Sequence, residues 1–164
     1  MSHVPPAHAL THVRADGTAH MVDVSAKPVT AREASARGRV LVCPAAVSAL
    51  RDGALPKGDA LAVARIAGIQ AVKRTSELIP LAHPVAVHAV AVDLAVADDG
   101  VDVTATVRTA DRTGIEMEAL TAVTVAALAL VDMVKAVDKH ARITDVRVTA
   151  KSGGRSGDWV EGDR

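Results

Sequence analysis

Hydrophobic and polar residues follow a few clear periods along this chain. From 33 to 42 the period is two, with Ala34, Ala36, Val40 and Val42 on one face and Ser35, Arg37 and Arg39 on the other, which predicts a strand. Residues 44–51 fit a short extra helix, and a run of small apolar residues from about Gly58 to Arg74 predicts a longer one. Pro80 and Pro84 interrupt the chain before a second strand, on which Val90, Val92, Leu94 and Val96 share a face. Asp98, Asp99 and Gly100 supply hairpin turn chemistry. The return strand puts Val101, Val103, Ala105 and Val107 on one side and Asp102, Thr104, Thr106 and Arg108 on the other, the alternation of a half-buried antiparallel strand.

Thr113 followed by Glu116 fits a capping box opening a long helix. Its apolar positions include Leu120, Val123, Ala127, Leu130, Val134 and Val137, and His140 and Arg142 mark its end. A last strand spans roughly 142–151, with Val146, Val148 and Ala150 alternating with polar neighbours. The order is βαββαβ, so the expected fold is an α+β, ferredoxin-like sandwich in which an antiparallel sheet carries two helices on one face. Residues 1–20 read as a flexible N-terminal arm, 21–151 as a single domain and 152–164 as a flexible Gly-rich tail.

Composition changes this picture in one respect. Of 164 residues 49% are hydrophobic but only 1% aromatic, with no Phe, no Tyr and Trp159 alone. Ala, Val, Leu and Ile must fill the core without the roughly 150–250 Å² that each aromatic side chain buries, so self-association is expected. The formal net charge is zero, which gives no general attraction to nucleic acid or an anionic membrane. A ferredoxin-like RNA-binding module also needs aromatic residues on its central strands, and none are there. Cys43 is the single cysteine, which excludes an intrachain disulfide and a Cys-pair zinc site and fits a reducing cytoplasm. No continuous apolar leader is visible, and the apolar runs read as too short and charge-interrupted to span a bilayer. His3, His8, His12 and His20 lie in the arm without helical pairing, so no metal site is expected.

The chemistry-bearing residues concentrate in two stretches. Lys57, Arg65, Lys73 and His83 surround the first long helix, and Glu116, Glu118, Asp132 and Lys135 lie on the second. Lys57-Gly58-Asp59 stands at a helix start, where free amides favour an anion unless Asp59 simply caps. His83 is either a loop histidine held by backbone or a proton carrier. At about 100° per residue, Glu118 and Asp132 return to within about 40° of one helix face. Asp132 and Lys135 are i, i+3 neighbours, a spacing that also suits an ordinary surface ion pair. Lys151-Ser152-Gly153-Gly154-Arg155 resembles a phosphate cradle without the Walker order. Cations on one element and carboxylates on another suggest acid–base chemistry on an anionic substrate.

Four segments carry a resemblance in register: HMVDVSAK at 20–27, KGDALAVARIAGIQAVKRTSELIPLAHP at 57–84, TGIEMEALTAVTVAALALVDMVKAV at 113–137 and KSGGRSGD at 151–158. Together they resemble the cyclic pyranopterin monophosphate synthase (MoaC) family of molybdenum cofactor biosynthesis, over most of the chain. The resemblance implies a ferredoxin-like subunit in a homohexamer, a trimer of dimers, with the active site at a subunit interface. It implies conversion of 3′,8-cyclo-7,8-dihydro-GTP, supplied by a radical S-adenosylmethionine cyclase, to cyclic pyranopterin monophosphate and pyrophosphate. It carries catalytic roles to Asp132, Lys135 and Lys57, and substrate contacts to Leu81, Ala82, His83, Glu116, Met117, Glu118 and Lys151. Arg155 joins the lysines as a candidate for the leaving pyrophosphate. No cofactor is implied beyond Mg²⁺ accompanying the triphosphate. Where the family often has Cys before the histidine, this chain has Ala82, so no thiol serves there. The competing reading from the residues is a non-catalytic nucleotide- or pterin-binding oligomeric sensor.

Overall fold

The structure, a computed structural model, describes residues 12–14, 16–155 and 157–162. His3 and His8 lie outside the described residues. The elements run β1 (Thr30–Leu41), α1 (Pro44–Arg51), α2 (Ala60–Val72), α3 (Thr75–Leu78), β2 (Val87–Val96), β3 (Gly100–Asp111), α4 (Glu116–Val134), β4 (Arg142–Ser152) and β5 (Trp159–Val160). The sheet order is β2-β3-β1-β4-β5 with every neighbouring pair antiparallel. This is the α+β, ferredoxin-like arrangement expected from the order of strands and helices. The extra helix expected at 44–51 is α1.

The core follows from the alternation. Ala34, Ala36 and Val40 of β1 and Val101, Val103, Ala105 and Val107 of β3 are buried against α4, which contributes Ala119, Ala122, Val123, Ala126, Ala127, Leu130 and Val134. With side chains this small the layers approach closely, and two glycines mark the tightest points. A Cβ on Gly38 of β1 would lie 2.8 Å from Val123 Cγ1, and one on Gly68 of α2 would lie 2.9 Å from the Ala122 carbonyl oxygen and 3.1 Å from Ala126 Cβ. Helix α4 is therefore gripped between β1 and α2 where neither partner carries a side chain.

Several expectations are corrected in detail. The capping box is absent: Ile115 occupies the N-cap of α4 without a side-chain cap bond, because Glu116 turns toward Lys151 instead. Helix α4 ends at Val134 rather than near His140. The Lys135 amide bonds to Val131 O and the Asp138 amide to Val134 O, and the Asp138 carboxylate then accepts from the amides of Cys43 at 2.6 Å and His140 at 2.8 Å. That double acceptance ties the turn to the start of α1 and holds Asp138 below the usual carboxylate range, the Cys43 amide contributing most. The tail also has structure, since β5 pairs Ala150 with Val160 and Lys151 with Trp159. Finally, α4 is long and apolar enough to cross a membrane by length and composition, contrary to the sequence expectation. More than half of it is buried inside the fold, which identifies it as the core helix.

The tight α2–α4 crossing generates a test. Gly68→Leu should cost about 1–3 kcal/mol through overpacking, read as a lower midpoint in urea unfolding followed by far-ultraviolet circular dichroism, whereas Gly53→Ala, in open space at a turn with φ +63°, should show only the smaller backbone penalty of a left-handed position.

Candidate active site

Two clefts adjoin at the N-terminal end of α4 and share Thr113, Gly114 and Glu116 as a common wall. The first, of about 220 Å³, is lined by five cationic side chains, Lys27, Arg32, Arg112, Lys151 and Arg155, together with Glu33 and Glu116. The second, of about 360 Å³, is lined by Leu81, Ala82, His83, Met117 and Glu118. A cationic hollow beside a less polar one with ionisable walls suits a ligand with phosphates at one end and a ring at the other.

Backbone anchors orient these side chains. Arg32 Nε donates to Asp111 O at 2.9 Å and Arg112 Nε to Lys27 O at 2.9 Å. Each guanidinium is therefore braced through its Nε where it lines the cleft. Lys151 Nζ lies 3.3 Å from Glu116 Oε1. His83 Nε2 stands 2.7 Å from Val22 O; a carbonyl only accepts, so Nε2 carries the proton in the neutral ring, and Nδ1 is the basic nitrogen. The backbone-held reading of His83 thus holds, and it leaves the proton-carrying role open on the other nitrogen.

A different cluster occupies the other end of α4. Asp132 Oδ2 accepts from Lys57 Nζ at 2.7 Å, and Oδ1 accepts from Lys135 Nζ at 2.6 Å. Lys57 Nζ also donates to Asp132 O at 3.0 Å, satisfying a carbonyl that the helix end leaves unpaired. Asp59 caps α2 by accepting from the Ala62 amide at 2.9 Å, so the capping reading of Lys57-Gly58-Asp59 holds and Lys57 is directed across to α4. The expected grouping of Lys57 with Glu116 and Lys151 is not made within one chain. Glu118 and Asp132 do not share a surface either: Glu118 is 4% exposed, whereas the Asp132 side chain is 54% exposed. Fourteen residues at 1.5 Å separate them by about 21 Å along the helix.

Electrostatics distinguishes the carboxylates. Bonds from Lys135 and then Lys57 hold Asp132 down at about 2, so near neutral pH it is a carboxylate. The Asp132 carboxylate thus stands as an acceptor between two lysines, each of which donates to it. Burial pushes Glu118 up from the usual carboxylate range, and the nearby Glu116 adds to the rise. Sequence reasoning missed Lys27, Arg32, Arg112, Thr113 and Gly114. Lys27 ends a quoted segment and Thr113 and Gly114 begin another, but Arg32 and Arg112 carry no local signal, because only the β1–β3 pairing brings them together. Among the described residues, no group of three His, Cys, Asp or Glu side chains converges to hold a metal ion.

The model of the MoaC family matches residues 21–154. A Streptomyces coelicolor protein named cyclic pyranopterin monophosphate synthase is 67% identical over 155 residues, covering 94% of this chain and 91% of its own length. Proteins of the same name from a Nocardioides species and from Parvibaculum lavamentivorans are 63% and 54% identical, over 92% and 93% of this chain and 94% and 97% of their own lengths.

The two carboxylates give opposite expectations. In Lys135→Ala, Asp132 should titrate higher than in the parent, toward the usual carboxylate range, measured by carbon-detected NMR of the side-chain carboxyl. For Glu118 the folded state holds its proton more tightly than the unfolded chain, so stability declines as pH rises from the ordinary carboxylate value through the raised one. Glu118→Gln should flatten that decline, read by urea unfolding from about pH 4, near the ordinary glutamate value, up to about pH 8.

Proposed function

This chain belongs to the MoaC family, and from that premise we propose that it acts as a cyclic pyranopterin monophosphate synthase in molybdenum cofactor biosynthesis. The substrate is 3′,8-cyclo-7,8-dihydro-GTP, delivered by a radical S-adenosylmethionine cyclase. The observation that carries this reading is the common wall of Thr113, Gly114 and Glu116 between the five-cation cleft and the cleft that holds His83 and Glu118.

The reaction is a rearrangement that conserves atoms: an oxygen of the sugar-derived part attacks the α-phosphorus, the bond to the β-phosphate oxygen breaks, and pyrophosphate leaves. No electrons are exchanged, so no resident cofactor is needed; Mg²⁺ enters as a companion of the triphosphate. Negative charge grows on the departing oxygen. Lys27, Arg32, Arg112, Lys151 and Arg155 meet it with fixed positive charge at no cost of reorganisation. Conversion of the purine-derived ring moves protons among nitrogen, carbon and oxygen. Glu118, buried in the wall of the ring cleft, donates on one side, and His83 Nδ1 accepts on the other. Leu81, Ala82 and Met117 form the ring's apolar contacts, and Ala82 contributes no thiol. Asp132 acts as the carboxylate that orients Lys57 and Lys135.

A separation of about 21 Å along α4 leaves the Lys57–Asp132–Lys135 trio out of reach of a ligand in its own chain's clefts. The complete site therefore combines the trio of one subunit with the clefts of another, in a homohexamer built as a trimer of dimers. Support comes from exposed apolar side chains on the two helices, Val63, Ile66 and Leu128, which assembly would bury. The protein works in the cytoplasm, where its lone Cys43 stays reduced. It has no nucleic-acid or membrane partner in this role.

A coupled assay tests the reading. The cyclised GTP intermediate is prepared with its radical enzyme, freed of that enzyme and mixed with this protein, and the products are followed by mass spectrometry. Equimolar cyclic pyranopterin monophosphate and pyrophosphate are expected, with about a hundredfold loss or more in Asp132→Asn, the size of effect that misplacing reacting groups produces, because Lys57 and Lys135 lose the carboxylate that orients them. Binding without turnover would leave a nucleotide- or pterin-sensing oligomer instead. Shared sites have their own signature: Asp132→Asn mixed with His83→Ala during refolding should recover roughly a quarter of the parent activity, since half of randomly paired dimers are mixed and each of those regains one of two sites. A mixture as inactive as its components would place the whole site in one subunit.

A further inference from the structure

The segment 152–158 reaches the cationic cleft as the tip of a hairpin, and its shape depends on few contacts. Gly153, Gly154 and Gly157 have φ of +82°, +79° and +71°, conformations that only glycine adopts freely and that leave the unconstrained loop with many alternatives. A Cβ on Gly153 would strike the Ala31 carbonyl oxygen, and one on Gly154 would strike the Arg32 guanidinium, so the loop backbone lies directly on the β1 residues beside the cleft. Among the described residues, Asp158 Oδ1 accepts from the Gly153 amide at 2.9 Å and the Gly157 amide donates to Gly154 O at 3.3 Å, which closes the loop. Beyond it, β5 pairs back on β4, the Glu161 amide donates to Thr149 O at 2.7 Å, and Glu161 pairs with Arg147.

We infer that Asp158 is a positioning residue for pyrophosphate binding: by closing the loop onto β1 it holds Arg155 at the cleft and confines the Arg32 guanidinium between Gly154 and Asp111 O. This rests on the reading of the cationic cleft as the phosphate end of the site. The acidic residue itself is unfavourable beside a bound anion, so its contribution is the hydrogen bond and not its charge. Asparagine keeps a carbonyl oxygen able to accept from the Gly153 amide while removing the charge; alanine removes both.

The test is calorimetric titration of the full chain with inorganic pyrophosphate, alongside the coupled assay. Asp158→Ala should weaken pyrophosphate binding about tenfold or more and raise KM for the cyclised substrate in parallel, with kcat at saturation within about twofold of the parent. Asp158→Asn should bind pyrophosphate as the parent does or more tightly. Glu161→Ala, which loosens the hairpin from its far side, should shift binding in the same direction by a smaller factor. Unchanged affinity in Asp158→Ala, an equal loss in Asp158→Asn, or a fall in kcat with KM unmoved would each overturn the inference. Pyrophosphate affinity is read without turnover, so its loss in Asp158→Ala beside an inactive parent would keep this inference while the synthase reading fails. An active parent with pyrophosphate affinity indifferent to Asp158 would do the reverse.

Discussion

The close contact of α4 with β1 on one side and α2 on the other is the constraint on which the rest of the molecule depends. A chain without Phe or Tyr cannot hold its layers apart with rings. Its core instead gains stability by bringing backbones together over alanine and valine, where dispersion contacts remain dense although each side chain is small. Gly38 and Gly68 permit that approach, and they fix α4 in rotation and along its length. Every functional group on α4 inherits that placement: Glu116, Met117 and Glu118 are set at one end because Ala119, Ala122 and Val123 are locked in the middle.

Such a fixed helix also imposes a field. The N-terminus of α4 favours negative charge and the C-terminus positive charge. Glu116 and Glu118 in the first turn and Lys135 at the C-cap agree with that field, whereas Asp132 in the last turn opposes it. Its two lysines answer the mismatch, and the outcome is a carboxylate held far below its usual range. Glu118 shows the converse, since a favourable helix position is overridden by burial, which raises it. Two carboxyl groups on one helix thus shift in opposite directions from their surroundings alone, one raised by burial and one lowered by its lysine partners.

What the sequence made legible follows from how local each signal was. Period-two alternation marked β1, β3 and β4, and the order of elements indicated the sandwich, because strand faces and helix stripes are written in neighbouring residues. The end of α4 was misplaced because it depends on Asp138 accepting from Cys43, a contact across 95 positions of sequence. The capping box failed for a similar reason: Glu116 found Lys151, a partner supplied by the far end of β4. Of the candidates named through the resemblance, His83, Met117, Glu118 and Lys151 line the two clefts, and the Asp132–Lys135 pair suggested by helical spacing is made. Arg32 and Arg112 escaped because the register of β1 on β3 alone sets Arg32 beside Asp111 and the turn that follows it. The division of the candidates between two ends of α4 was equally hidden, since an angular coincidence on a helical wheel carries no information about axial distance.

Small-residue packing and a divided site are linked on the proposed reading. A core of alanine and valine leaves α2 and α4 with apolar side chains that the single chain does not cover, Ile66 at 60% and Leu128 at 59% exposed. Assembly would remove that surface from water and so supply stability that a core without aromatic rings lacks. It would also bring a lysine–aspartate trio to clefts that are open in the isolated chain, excluding water from charges that are screened while exposed. Chemistry would then be confined to the assembled state. A single subunit keeps Asp132 and its two lysines at the far end of α4, about 21 Å along the helix from Glu118, and on that reading it would not act on the intermediate alone.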